Sequence, residues 1–167
     1  AHGSPPTAMF RSTAFFLALS LLAVRPLRAA EPPAPLETLH PDDVAPGCLC
    51  SFSLQPQADT TVPLVFALDL SSGEGLVRVA GSLLRLTRIS SEENKKRARK
   101  DSVGDRYTEI WGSGASTLTL RYKTTFVCPP ADSSCSHTDY QGTLSLEHGG
   151  DARRIDVWGS CGCPSGG

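Results

Sequence analysis

Two C-x-C sequences constrain the fold of this chain more than any other feature. Cys48 and Cys50 form the first pair, and Cys161 and Cys163 form the second. Residues i and i+2 of a β-strand point to the same face, so each pair presents two sulfur atoms to one side. If the two strands are neighbours in a sheet, two adjacent disulfides join the start of a domain to its end.

The direction of the two strands decides how these cysteines pair. Antiparallel strands would join Cys48 to Cys163 and Cys50 to Cys161. Parallel strands would join Cys48 to Cys161 and Cys50 to Cys163. A meander barrel with an even number of strands closes with antiparallel neighbours, and this favours the first pairing.

The remaining cysteines, Cys128 and Cys135, are expected to close a short loop that contains Pro129 and Pro130. Three disulfides are typical of proteins that fold in an oxidising compartment. The alternative is a metal-handling protein in which the two C-x-C pairs supply four thiolates to one ion, since zinc accepts such a set.

Between the C-x-C pairs, apolar residues recur with a period of two, which is typical of half-buried strands. The turns are short and rich in glycine, and Gly81-Ser82 is a candidate two-residue turn. The residues expected to share a buried face are Cys48, Cys50, Phe52 and Leu54; Leu64, Phe66, Leu68 and Leu70; and Leu118, Leu120, Tyr122 and Phe126.

Eight such segments predict an all-β domain. A small antiparallel β-barrel stapled by disulfides is the preferred architecture, because closure removes exposed strand edges. A β-sandwich is the alternative. The predicted strands are 48–54, 64–70, 76–80, 83–89, 106–111, 117–127, 140–147 and 153–161.

Residues 90–105 interrupt this pattern, because they are highly charged and lack a regular apolar stripe. They predict a long excursion between strands, with one helical turn around residues 92–99. A solvated loop is one interpretation. A basic contact surface is the other, although nearby acidic residues largely offset its charge. The basic residues concerned are Lys95, Lys96, Arg97, Arg99 and Lys100.

Residues 9–30 have the pattern of a secretory signal peptide. Arg11 is followed by an unbroken apolar run over residues 15–24, and small residues stand near position 30. The run is shorter than the ~20 residues that span a bilayer, so a membrane anchor is not expected. The protein is therefore expected to be periplasmic or secreted, with residues 1–8 as upstream sequence.

The rest of the chain divides into three parts. Residues 31–47 contain five prolines and predict an extended, poorly packed leader. The barrel domain is expected over residues 48–163, and residues 164–167 form a C-terminal tail.

The charge of the chain argues against a nucleic-acid partner. Its net charge is −1, from 16 basic and 17 acidic residues. Residues 1–30 hold three arginines and no acidic residue, so the exported part carries −4. A mildly acidic protein has no electrostatic reason to seek nucleic acid or anionic lipid.

The sequence offers little that suggests catalysis. His137 follows Cys135 in a serine-rich loop, and His148 stands at a hairpin turn. Both are interpreted as exposed loop residues, because no nucleophile motif accompanies them. We expect neither an enzyme nor a bound cofactor.

Two short motifs resemble the bacterial C-type lysozyme inhibitor family of small exported β-barrels. They are Val103-Gly104-Asp105-Arg106-Tyr107 and Ile110-Trp111-Gly112-Ser113-Gly114. Val103 stands where the family has serine, with Ser102 beside it, and Ser113 stands where the family has lysine. The resemblance implies that a cell-wall hydrolase is bound by Ser102, Gly104, Tyr107, Trp111 and Ser113.

The alternative for Tyr107 and Trp111 is that they share a strand face and pack inside the domain. Beside the metal-handling interpretation, the sequence allows two further interpretations of the protein's function. The first is an exported binding protein of the lysozyme-inhibitor kind. The second is a structural or general-interaction protein of the bacterial envelope.

Overall fold

The computed structural model describes residues 36–56, 62–94, 101–132 and 134–163. This part of the chain contains nine strands and one short 3-10 turn, Pro41–Asp43. The strands are β1 (Leu36–Glu37), β2 (Leu49–Ser53), β3 (Leu64–Asp69), β4 (Glu74–Val79), β5 (Ser82–Asn94), β6 (Arg106–Ser113), β7 (Ser116–Val127), β8 (His137–His148) and β9 (Asp151–Gly162).

Strands β2 to β9 form a closed antiparallel barrel, and β1 is one extra strand. Each barrel strand pairs with the next strand in sequence, and β9 returns to pair with β2. This confirms the predicted eight-stranded barrel. Closure leaves each barrel strand with a partner on both sides, which protects the edges from other chains.

The disulfides follow the antiparallel register of the closing strands. Cys50 lies directly opposite Cys161, and these two residues are bonded. Cys48 is bonded to Cys163 just beyond the same strand ends. The third bridge joins Cys128 to Cys135, as predicted.

The interior of the barrel is filled by side chains from the inward faces of all eight strands. Trp111 is fully buried and meets Phe66 edge-on, with ring centroids 5.7 Å apart. Phe52 meets Phe66 at 5.9 Å. Leu118 and Leu120 are buried, as their spacing predicts. Such packing excludes water from the barrel centre and provides its main hydrophobic stabilisation.

Three residues that the sequence placed on buried faces are exposed. Leu54 and Leu70 lie just beyond the ends of their strands, where the alternation stops. Phe126 is 38% exposed, because the register with β8 shifts between Thr124 and Phe126. A shift by one residue turns the following side chains to the other face of a strand.

The predicted excursion over residues 90–105 is wrong at its start. Strand β5 continues to Asn94 and pairs with β6 along residues 90–94. The long charged strand is stable there because its neighbour supplies the backbone hydrogen bonds. The five basic residues predicted as a contact surface lie in 95–100, outside the described residues.

The described part of the proline-rich leader, residues 36–47, packs against the outside of the barrel. Strand β1 pairs with the end of β4, and Leu39 is buried beside Ala67 and Leu76. An ion pair of 2.7 Å joins Asp43 to Arg78. The hydrogen bonds from Arg78 keep the pKa of Asp43 below its usual value.

The signal peptide predicted over residues 9–30, the upstream residues 1–8 and the tail 164–167 lie outside the described residues. Within the residues that are described, no helix has the length and apolar character that crossing a membrane requires. Three disulfides in one small barrel are typical of an oxidising compartment.

Candidate functional site

The loop of residues 101–105, which leads into β6, is held by hydrogen bonds within the loop and by hydrogen bonds to β7. The Ser102 N–H donates to Asp105 Oδ2 at 2.7 Å, and the Asp105 N–H donates to the Ser102 carbonyl at 3.0 Å. The Gly104 N–H donates to the Thr124 carbonyl at 2.8 Å, and the Thr124 N–H donates to the Asp105 carbonyl at 2.9 Å. The loop is therefore fixed to β7.

The same loop is also tied to the barrel interior. The Tyr107 hydroxyl donates to Asp101 Oδ1 at 2.8 Å. Gly104 has φ of 91°, a conformation that favours glycine. Val103 at the loop tip is 57% exposed. The loop is thus fixed to the barrel and exposes Val103 at its tip, with the half-buried Ser102 beside it.

Tyr107 belongs to a group of three tyrosines inside this end of the barrel. It stacks on Tyr122 with ring centroids 4.9 Å apart. Tyr140 meets Tyr122 edge-on at 5.0 Å and Tyr107 at 6.1 Å. Burial raises the pKa of Tyr122, and the charge of Glu109 adds to this effect. The Tyr122 phenol therefore stays protonated at neutral pH, and the three rings pack against one another.

Trp111 lies deeper in the barrel and contacts a buried carboxylate. Its Nε1 donates to Glu109 Oε2 at 3.2 Å. Arg88 approaches the other oxygen of Glu109 at 3.6 Å and lies 5.6 Å from the centroid of the Trp111 ring. Glu109 is therefore compensated by hydrogen bonding and by one cation, which offset the cost of burying its charge.

The structure separates the residues that the family resemblance groups together. Ser102 and Gly104 precede β6, whereas Ser113 ends it. The 8 residues of this strand place the two loops roughly 25 Å apart, at opposite ends of the barrel. Tyr107 and Trp111 lie inside the barrel, as the packing alternative holds. Of the candidates outside the barrel interior, Ser102 is half-buried at one end and Ser113 is exposed at the other.

The two histidines of the barrel differ in their surroundings. His137 is exposed, with its ring stacked on Phe126 at 5.2 Å and its Nε2 3.8 Å from Asp139. His148 is half-buried, and its Nδ1 lies 2.8 Å from Ser116 Oγ. Among the described residues no carboxylate is within 4 Å of His148, so this Ser–His pair lacks the orienting acid of a hydrolytic triad.

The cysteines of the C-x-C pairs form disulfides and so supply no thiolates. In the described residues, the one cluster with the ligand types of a metal site is Cys128, Cys135 and His137. Both of these cysteines are also joined to each other. Metal sites of cysteine require deprotonated thiols, so the oxidised protein does not offer the site that the metal-handling alternative needs.

The sequence did not predict Glu109 or Asp105 as parts of this site. Glu109 lies two residues from both Tyr107 and Trp111 and so shares their inward face of the strand. A charged residue on that face was a signal that a polar or positively charged partner offsets its buried charge. Asp105 has no comparable signal, because its hydrogen bond depends on how the loop closes.

A search of protein families, of curated proteins and of solved structures finds no match to this chain.

Proposed function

We propose that this is an exported bacterial protein of the periplasm or the cell exterior, and that it acts by binding another protein and not by catalysis. The proposed partner is a lysozyme-like cell-wall hydrolase. The observation that carries this proposal is the 101–105 loop, whose exposed tip is held by hydrogen bonds to the barrel. A contact that is already ordered loses less conformational entropy when it binds.

The chemistry of the loop tip suits a protein surface. Val103 offers an apolar side chain, and Ser102 beside it offers a hydroxyl group. The filled barrel interior leaves binding to the outer surface and the loops. Since Ser113 lies at the far end of β6, one partner of ordinary size would use the 101–105 loop without it.

The test is inhibition of lysozyme acting on purified cell walls by the chain from residue 31 onward. We expect inhibition by the wild type, and a loss of at least about tenfold in Val103→Asp, because a charge would be buried in the contact. Leu54→Asp is the matched control: Leu54 is 48% exposed and lies at the opposite end of the barrel. It should inhibit like the wild type.

No inhibition at roughly 50 µM wild-type protein would reject the hydrolase as partner. Equal losses in the two variants would reject the loop as the contact. Recovery of envelope proteins in a pull-down, together with indifference to lysozyme, would favour the structural envelope role.

A further inference from the structure

The outer face of the barrel carries two like charges directly opposite each other. Arg106 on β6 pairs in register with Lys123 on β7, and both side chains are exposed. Like charges in this position repel and destabilise a sheet. A bound anion between them would relieve that repulsion.

A third cation lies on the same face, two residues along β7. Arg121 is exposed and opposite Thr108 on one side and Thr143 on the other. Together with Arg106 and Lys123, these residues line a shallow cleft of about 280 Å³. We call this surface the β6–β8 cleft.

Within the described part of the protein, no ion pair holds the cations of the cleft. None of the carboxylates described there lies within 4 Å of Arg106, Arg121 or Lys123. Glu92 and Asp156 occupy the outer positions beyond Thr108 and Thr143, one strand further on each side. They flank the cleft without lining it.

An aromatic side chain continues the cleft on the next strand. Gln141, which also lines the cleft, pairs with Lys123 on one side and with Trp158 of β9 on the other. Trp158 is half-buried. It lies on the outer face, since the positions on either side of it, Val157 and Gly159, are buried on the inner face. At a strand spacing of ~4.8 Å, Arg106 and Trp158 are roughly 14 Å apart across the strands.

We propose that the β6–β8 cleft and Trp158 bind an acidic polysaccharide whose sugar rings carry carboxylates. The guanidinium groups of Arg106 and Arg121 match planar carboxylates with paired hydrogen bonds. The amide of Gln141 and the threonine hydroxyls can bond to sugar hydroxyl groups, and the flat face of Trp158 can pack against a ring.

Charge density favours a polysaccharide over a nucleic acid. Double-stranded DNA carries one negative charge per ~1.7 Å, whereas a polysaccharide of uronic acids carries about one per sugar ring. Three cations neutralise little of so dense a charge. Three cations spread over two strands can still pair with widely spaced carboxylates.

The test is calorimetric titration of the full protein with polygalacturonate at low salt, with dextran as the neutral comparison. We expect binding to polygalacturonate alone, and weaker binding as salt rises, because salt screens exposed charges. Arg121→Gln should weaken binding at least about tenfold. Trp158→Leu, which keeps much of the side-chain volume, should weaken it about fivefold.

The matched control is Arg85→Gln. Arg85 is an exposed cation outside the cleft, paired with Glu74 at 2.9 Å. This variant changes the net charge equally and should bind within about twofold of the wild type. Thermal melting without ligand checks that each variant is folded; Lys123→Gln should melt no lower than the wild type, because it removes the like-charge pair.

Three results would overturn the proposal. The first is no binding of polygalacturonate by the wild type. The second is an equal loss in Arg85→Gln and Arg121→Gln. The third is tighter binding of single-stranded DNA than of polygalacturonate, lost in the same cleft variants, which would identify a nucleic acid as the occupant. The hydrolase assay with Val103→Asp is independent of all three.

Discussion

Ala80 is the one residue other than glycine, within the described ranges, that has a positive φ. Its φ is 49°, and Gly81 follows with 78°. These two residues form the turn between β4 and β5, because Val79 pairs with Ser82. The sequence placed this turn one residue later, at Gly81-Ser82. Two positive φ values define the type I′ turn, for which Asn-Gly is preferred.

Replacing Ala80 with asparagine should therefore stabilise the protein. An alanine in this conformation costs roughly 1 kcal/mol, whereas asparagine adopts it more readily. We expect Ala80→Asn to raise the free energy of unfolding by about 0.5–1 kcal/mol, measured by urea denaturation. Ala115, in the β6–β7 turn, lacks a positive φ, so a similar gain in Ala115→Asn would contradict this explanation.

Asp69, at the end of β3, makes the stability of the protein depend on pH in the acid range. Hydrogen bonds from the Ser71 hydroxyl, at 2.6 Å, and from backbone N–H groups lower its pKa from 3.8 to about 2. A lowered pKa in the folded state stabilises the protein above the unfolded value, and the effect is lost as pH falls through the folded value. The contribution of Asp69 should therefore disappear between pH 4 and 2.

The measurement is an NMR titration of the Asp69 carboxyl group. We expect a midpoint near 2 in the wild type and a higher midpoint in Ser71→Ala, which removes the largest cause of the shift. The stability advantage of the wild type over Asp69→Asn should be constant above about pH 5 and shrink below it. An unchanged midpoint in Ser71→Ala would show that the hydroxyl is not the cause.

At the scale of elements, β2 and β9 are joined by two bridges that close nearly the same long loop. Cys48–Cys163 spans 115 residues and Cys50–Cys161 spans 111. In the chain-entropy model one bridge of this length stabilises by ~4–5 kcal/mol. Once the first bridge has formed, the second closes only a small ring made by the few residues that separate the two bridges. It therefore contributes ~2 kcal/mol.

The two bridges should thus be partly redundant. Replacing both cysteines of either bridge with serine should lower the free energy of unfolding by about 2 kcal/mol, because the other bridge still closes the long loop. Replacing all four cysteines should cost more than the sum of the two single losses. Urea denaturation of the three variants measures this. If the losses of unfolding free energy in the two single-bridge variants add up to the loss in the variant without either bridge, then the two bridges stabilise the protein independently.

At the scale of the whole molecule, the barrel itself could be predicted from the chain. Alternation in segments such as 117–127 fixes which side chains face inward, and the C-x-C pairs fix which strands close the ring. The failures were local. Phe126 follows a register shift, and residues 90–94 are too polar to read as a strand without the partner β6.

The candidate site was less predictable than the fold. The motif residues Gly104 and Tyr107 were found, but the distance from Ser102 to Ser113 depends on β6 being one continuous strand. The β6–β8 cleft combines residues from several strands, and their positions follow from register. A single sequence does not reveal which polar faces of neighbouring strands lie side by side.

The bridge between the first and last cysteines also determines how the molecule responds to a mechanical load. A force pulling on the two ends of the chain would pass through the bond between Cys48 and Cys163, which are 115 positions apart, and would bypass the residues between them. Of the described residues, those before Cys48, which are held by β1 and Leu39, lie in the path of that force. The barrel would keep its shape under tension while the leader peels away from its side.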